Sequence, residues 1–224
     1  MSGTSSPPTS CDAPKSGSSQ DYVTPPFLVA AVGASAGGLE AFSKLLHDMP
    51  SDAPLALILV QHMSRTQPSV LPEILATRTA LRVVRAVDET KLESGCVYVI
   101  SPDTHMTLID GHLRVRPRPE GNRSVQVDAL FCSIAEYYRA RSVGVVLSGA
   151  LSDGAQGFRA IKAVGGVTLA QRPDDAQTEG MPRAAIATGD VDQILSAEEI
   201  SVELLRLARS SRFKTKPPGA PNAS

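Results

Sequence analysis

Phe27 to Val32 is an unbroken apolar run that ends in Gly33-Ala34-Ser35-Ala36-Gly37-Gly38, after which Leu39, Phe42, Leu45 and Leu46 recur at helical spacing. An apolar run without alternation marks a strand buried on both faces. A strand covered on both sides needs helices above and below it, so this one segment already restricts the chain to layered α/β architectures. The same unit recurs. Leu55 to Val60 reads as a second buried strand, and a helix starting near Pro68 sets Val70, Ile74 and Leu75 on one face. Leu81 to Val87, Cys96 to Ile100, Val143 to Leu147 and Val167 to Ala170 read as further strands. Val127, Phe131, Ile134 and Tyr138 form a helical stripe, and Phe158 with Ile161 belongs to the helix after the Val143 strand. His105 to Ile109 and His112 to Val115 flank Asp110-Gly111, a two-residue hairpin signal. Ser196 and Glu199 form a capping box that opens a last helix through Leu204, Leu205 and Leu207. Repeated strand–helix alternation predicts an α/β fold with a doubly wound, mainly parallel sheet, helices on both faces and a small antiparallel hairpin.

The ends of the chain read differently. Of the first 26 residues, 17 are Ser, Thr, Gly or Pro, too few apolar groups to offset the entropy of ordering. Residues 1–26 are therefore expected to be a disordered tail, 27–208 the folded domain, and 209–224, with Arg209, Arg212, Lys214 and Lys216 and no acid, a basic flexible tail.

Composition removes several functions. With 22 Lys+Arg against 23 Asp+Glu the net charge is -1, which lacks the cationic surplus of a general nucleic-acid binder. The apolar runs are far shorter than the ~20 residues that span a bilayer, and no membrane insertion is expected. Cys11, Cys96 and Cys132 are odd in number and widely spaced, neither a disulfide framework nor a metal motif, in keeping with a cytoplasmic location. No His–Cys or His–carboxylate cluster has metal-ligand spacing, so no metal is expected.

The turn after the first strand admits three readings. Phosphate binding is the first, but Gly33, Gly37 and Gly38 do not have G-x-G-x-x-G spacing. The second strand also runs into Gln61-His62-Met63, with no acid to hold a ribose. The second is nucleophilic catalysis: a serine on a tight strand-to-helix turn exposes its hydroxyl, and the N–H groups of Ala36 and Gly37 face the region where an oxyanion would form. The third is a serine capping the helix that carries Leu39 and Phe42.

Two further strand ends bear on the choice. A serine needs a base, and the base an orienting carboxylate. His62 follows the second strand, and Asp153 follows the strand Val143 to Leu147. In an open parallel sheet ligands bind at the carboxyl ends of strands, so Ser35, His62 and Asp153 should share one rim. Each also has a plainer role: His62 as a satisfied polar residue, and Asp153 as a turn or as the cap of the Phe158 helix. Asp128 could cap the Val127 helix. His47 suits the end of the first helix, and His105 and His112 flank the hairpin. The chain order Ser, His, Asp differs from the Ser, Asp, His order of lipase-type α/β hydrolases.

These segments resemble the catalytic domain of the chemotaxis protein-glutamate methylesterases, the CheB type. The resemblance covers roughly Leu28 to Leu195. It rests on Val32-Gly33-Ala34-Ser35-Ala36-Gly37-Gly38, on Val60-Gln61-His62-Met63, and on Val97 to Pro102 with His105-Met106. It continues through Val125 to Phe131, Leu147-Ser148-Gly149 with Asp153-Gly154, and Ala170-Gln171 leading to Gly180-Met181-Pro182. The resemblance implies hydrolysis of glutamyl methyl esters on the cytoplasmic helices of chemoreceptors, with glutamine deamidation as a second activity and no cofactor. It implies Ser35 as nucleophile, His62 as base and Asp153 as orienting carboxylate. Two positions depart from the usual pattern. Ala36 stands where threonine is usual, and Ala150-Leu151 where Met-Gly is usual. Ala36 and Ala150 keep main-chain N–H groups for an oxyanion, so hydrolysis is the expectation, with a wider pocket at Ala150. A scaffold that binds receptors without catalysis is the competing expectation. Typical members carry an N-terminal receiver domain, which 26 residues cannot hold; control by a separate partner, or none, is expected.

Overall fold

The computed structural model of the chain describes residues 27–61, 70–118 and 126–210. Strand β1 (Leu28–Ala34) leads into helix α1 (Gly38–Leu46), and β2 (Leu55–Gln61) precedes α2 (Leu71–Ala76). Then come β3 (Arg82–Arg85), β4 (Thr90–Lys91), β5 (Cys96–Val99), β6 (Thr104–Ile109) and β7 (His112–Pro117). Helix α3 (Gln126–Tyr138) and one 3-10 turn precede β8 (Ser142–Val146). The chain continues through α4 (Ala155–Ala163), β9 (Val167–Gln171), α5 (Gly180–Ala187), β10 (Gln193–Leu195) and α6 (Ala197–Arg209).

Seven strands form one sheet in the order β10-β9-β8-β1-β2-β5-β3, and every pairing in it is parallel. β1 lies inside the sheet and all its residues are buried, as its unbroken apolar sequence requires. Its side chains alternate between two cores. Leu28, Ala30, Val32 and Ala34 join Phe42 and Leu45 of α1 and Ile200 and Leu204 of α6. Val29 and Ala31 join Val127, Phe131 and Ile134 of α3 and Phe158 of α4. The rings of Phe131 and Phe158 stack with centroids 5.6 Å apart, so α3 and α4 meet through an aromatic pair. The second core continues under the small antiparallel sheet β4-β7-β6 through Met106, Leu108 and Leu113. Asp110 and Gly111 join β6 to β7 with φ of 51° and 77°, the pair of positive angles that a two-residue type I′ hairpin requires.

The doubly wound parallel architecture is as the sequence predicts, and so is the capping box of α6: the Ser196 hydroxyl accepts from the Glu199 N–H, and the Glu199 carboxylate accepts from the Ser196 N–H. Several details differ. Val70 is the residue before α2 and is 60% exposed rather than on a buried face. The strand at Leu81 to Val87 is shorter, Arg82–Arg85, because it is an edge strand whose residues are only partly covered. Helix α6 runs one residue past the expected domain end, to Arg209. The expected tail over 1–26, and all but Arg209 and Ser210 of the one expected over 209–224, lie outside the described residues. Among the described residues no helix is long and apolar enough to cross a membrane.

Candidate active site

From β1 the chain passes to β2 on one side, whereas β8, on the other side of β1, passes on to β9 in the opposite direction. The carboxyl ends of β1 and β8 therefore flank the point where the strand order reverses, the crevice in which open α/β sheets bind their ligands. Ser35 directly follows β1, and Asp153 lies in the loop between β8 and α4.

The local sequence forces the Ser35 turn. The Ser35 carbonyl accepts from the Gly38 N–H at 2.9 Å, closing a four-residue turn. Its third residue, Gly37, has φ 78° and ψ 1°, the type II geometry that glycine adopts without steric penalty. Gly37 is also the N-cap of α1, and no side chain caps that helix. The reading of Ser35 as a helix cap is therefore excluded. The Ser35 side chain is half-buried, and Ala36 beside it is exposed. The N–H groups of Ala36, Gly37 and Ala150 donate to no partner among the described residues.

Ser148, buried at the end of β8, fastens this turn. Its carbonyl accepts from the Ser35 N–H at 2.9 Å, and its hydroxyl donates to the Ala36 carbonyl at 2.7 Å. That hydroxyl also accepts from the Thr178 N–H at 2.9 Å, and the Ser148 N–H donates to Gln171 Oε1 at 2.8 Å. The loops after β1, β8 and β9 are thus tied at one hydroxyl. Gly149 extends the tie: its N–H donates to Thr178 and its carbonyl accepts from Met181. A Cβ at Gly149 would stand 2.1 Å from Met181 Sδ and 3.1 Å from Ser35 Cβ, so a larger residue there would displace Met181.

Asp153 is 2% exposed. Its carboxylate accepts from the Val127 N–H at 2.9 Å and the Asp128 N–H at 3.0 Å, in the first turn of α3. The sequence reading has Asp153 capping the Phe158 helix as its plain alternative; that helix is α4, whose N-cap is Gly154, and Asp153 instead serves α3. Asp128 makes the converse bond. Its carboxylate accepts from the Gly157 N–H of α4 at 2.6 Å. Burial pushes its pKa up to about 6, opposed by the Gly157 hydrogen bond and reinforced by the neighbouring charge of Asp153.

His62 lies outside the described residues. The residue before it, Gln61, ends β2 in register with Ala34 of β1. Gln61 Nε2 makes a long, 3.4 Å contact with the Ser35 carbonyl, and its buried Oε1 has no hydrogen-bond partner. The other histidines stand elsewhere. His47 follows α1 and pairs with Asp48, while His105 and His112 are in the β6–β7 hairpin. Burial lowers the pKa of His105.

The sequence reading gives no role to Ser148, Gln171 or Met181, although all three fall in or beside segments it singles out. Apolar periodicity carries no signal for a hydroxyl that bridges loops far apart in the chain. A cavity of about 330 Å³ bounded by Lys162, Val167, Asp192, Glu203 and Arg206 lies at the amino ends of β9 and β10, away from Ser35.

A family model described as CheB methylesterase matches residues 30–204. The chain is 36% identical over 196 residues to protein-glutamate methylesterase/protein-glutamine glutaminase 6 of Anaeromyxobacter dehalogenans, covering 84% of this chain and 56% of that protein. It is 39% identical over 184 residues to protein-glutamate methylesterase/protein-glutamine glutaminase 3 of Burkholderia thailandensis, covering 80% of this chain and 51% of that protein. The chain thus spans about half the length of these two relatives. Among solved structures, the CheB methylesterase catalytic domain of Thermotoga maritima superposes with a TM-score of 0.75 at 26% identity, covering 81% of this chain and 98% of that one. By its fold, by the turn at Ser35 and by these matches, the chain belongs to the CheB methylesterase family.

Proposed function

We propose that this chain is a serine hydrolase that removes methyl esters from glutamate side chains on the cytoplasmic helices of chemoreceptors, and deamidates glutamines there by the same acyl chemistry. Ser35 Oγ attacks the ester carbonyl while His62 takes its proton. Asp153 holds the imidazole and stabilises its charged form. The N–H groups of Ala36, Gly37 and Ala150 receive the oxyanion. The imidazole then protonates the departing methoxide, and water, activated by the same imidazole, releases the carboxylate and restores Ser35.

The observation that carries this reading is the Ser35 turn: a serine at the strand-order reversal, relieved of any capping duty, beside undonated N–H groups. The names of the relatives support the substrate class. The buried Asp153 in the loop after β8, fixed by the first turn of α3, supports its orienting role. The exposed Ala36 and Ala150 leave the approach to Ser35 open, and neither needs its side chain to donate through its backbone.

Methanol release from methylated receptor is the test. Wild-type chain should release methanol and form a stable adduct with a serine-directed phosphonate. Ser35→Ala should do neither while keeping its fold. Equal release by both proteins would refute Ser35 as nucleophile. A folded wild type that neither releases methanol nor takes up the phosphonate would favour the non-catalytic scaffold.

A further inference from the structure

Asp128 and Asp153 form a closed exchange. Asp153, on the loop before α4, accepts from the Val127 and Asp128 N–H groups that begin α3. Asp128, in α3, accepts from the N–H of Gly157 in the first turn of α4 at 2.6 Å. Each acid thus holds the helix to which the other belongs or leads. Both are buried.

This arrangement has an energetic cost. Asp128 is removed from water beside a second carboxylate, where burial and the neighbouring charge of Asp153 both act against its ionisation. Joining α3 to α4 does not require that cost. The cores already join through Phe131 and Phe158, and a neutral serine or asparagine caps a helix as well as an aspartate does. What a carboxylate adds at Asp128 is a charged acceptor, whose hydrogen bond from the Gly157 N–H is stronger than one to a neutral oxygen. The residue gripped is separated from Asp153 by one helical turn.

We propose that Asp128 is a positioning residue for the hydrolysis, clamping the first turn of α4 so that the Asp153 carboxylate is held at a fixed angle. The inference rests on the reading of Asp153 as the orienting carboxylate. Asp128 touches no substrate; it acts through Asp153 and through the Asp128 N–H that Asp153 accepts.

The test compares wild-type chain with Asp128→Asn and Asp128→Ala. Methanol release gives kcat and KM, and amide hydrogen exchange reports the Val127 N–H that Asp153 holds. The asparagine variant keeps the shape and one acceptor oxygen, so it carries the test if the alanine variant does not fold. The expectation is a kcat loss of about three- to tenfold for asparagine and about thirtyfold or more for alanine, with KM within about twofold of wild type. Exchange at Val127 should accelerate in the same order. A kcat for the asparagine variant equal to that of wild type overturns the proposal, as does unchanged exchange at Val127. If wild type itself releases no methanol, the hydrolase reading has failed, and exchange at Val127 alone decides whether Asp128 fixes Asp153.

Discussion

The Ser35 N–H donates to the Ser148 carbonyl at 2.9 Å, and the Ser148 hydroxyl returns to the carbonyl of Ala36, the residue after Ser35, at 2.7 Å. One buried serine therefore fixes the peptide that precedes the proposed nucleophile and the carbonyl of the residue that follows it. Replacing it by alanine leaves the Ala36 carbonyl and the Thr178 N–H without that partner. Ser148→Ala should cost about 1–3 kcal/mol of stability, the range for a buried polar group left unsatisfied. Urea denaturation checks the stability and methanol release checks the activity. Activity should fall further than the loss of folded protein explains, because the turn is loosened; a variant with unchanged stability and activity would remove Ser148 from this account.

The proposed base predicts a pH dependence. His62 must be neutral to accept the Ser35 proton, so kcat/KM should fall as pH drops through the ordinary histidine range, between about pH 5 and 8. A profile that is flat across that interval contradicts a histidine base.

Asp128 predicts a separate dependence in stability. Its pKa rises from the ordinary 3.8 to about 6 on folding, chiefly through burial. A raised carboxyl pKa means that the folded state binds a proton more tightly than the unfolded state. Its stabilising contribution is full below pH 3.8 and is lost as pH rises through about 6. The size is on the order of 2–3 kcal/mol. Asp128→Asn should remove this component, so the difference in unfolding free energy between variant and wild type should change across that window. Parallel stability curves from pH 4 to 7, read by chemical denaturation, would show no such linkage.

Phe131 tests the packing that holds α3 against α4. It is fully buried and stacked on Phe158. Phe131→Ala should destabilise the domain by about 3–5 kcal/mol, the cost of removing a buried ring and leaving a cavity. Calorimetry or denaturant titration measures it, and a loss under about 1 kcal/mol would mean that the site collapses around the gap.

Much of this fold can be read directly from the residues. β1, β2 and β8 announce themselves as apolar runs, α3 through Val127, Phe131, Ile134 and Tyr138, and α6 through Ser196 and Glu199. What escapes is short, polar or joined through space. α5 has only eight residues with Pro182 in its first turn, where proline is tolerated but where periodicity reads as a break. β10 has three residues at the sheet edge with Ile194 exposed, so no apolar run marks it. In the candidate site, the placement of Ser35 and Asp153 beyond the ends of buried strands is legible in the sequence. The partner of Asp153 is not, since the N–H groups of Val127 and Asp128 are distant in sequence, and position suggests the nearer helix as the one it caps.

The reversal of strand order between β1 and β8 has a consequence for how such a domain can change. The floor of the crevice is made of fully paired parallel strands, whereas the residues around its mouth belong to loops that run outward in opposite directions. Leu151, 44% exposed next to Ala150, sits on one of those loops. Replacing side chains there alters the shape of the mouth and leaves the sheet hydrogen bonds unaffected. Change at the rim is thus uncoupled from upkeep of the underlying scaffold.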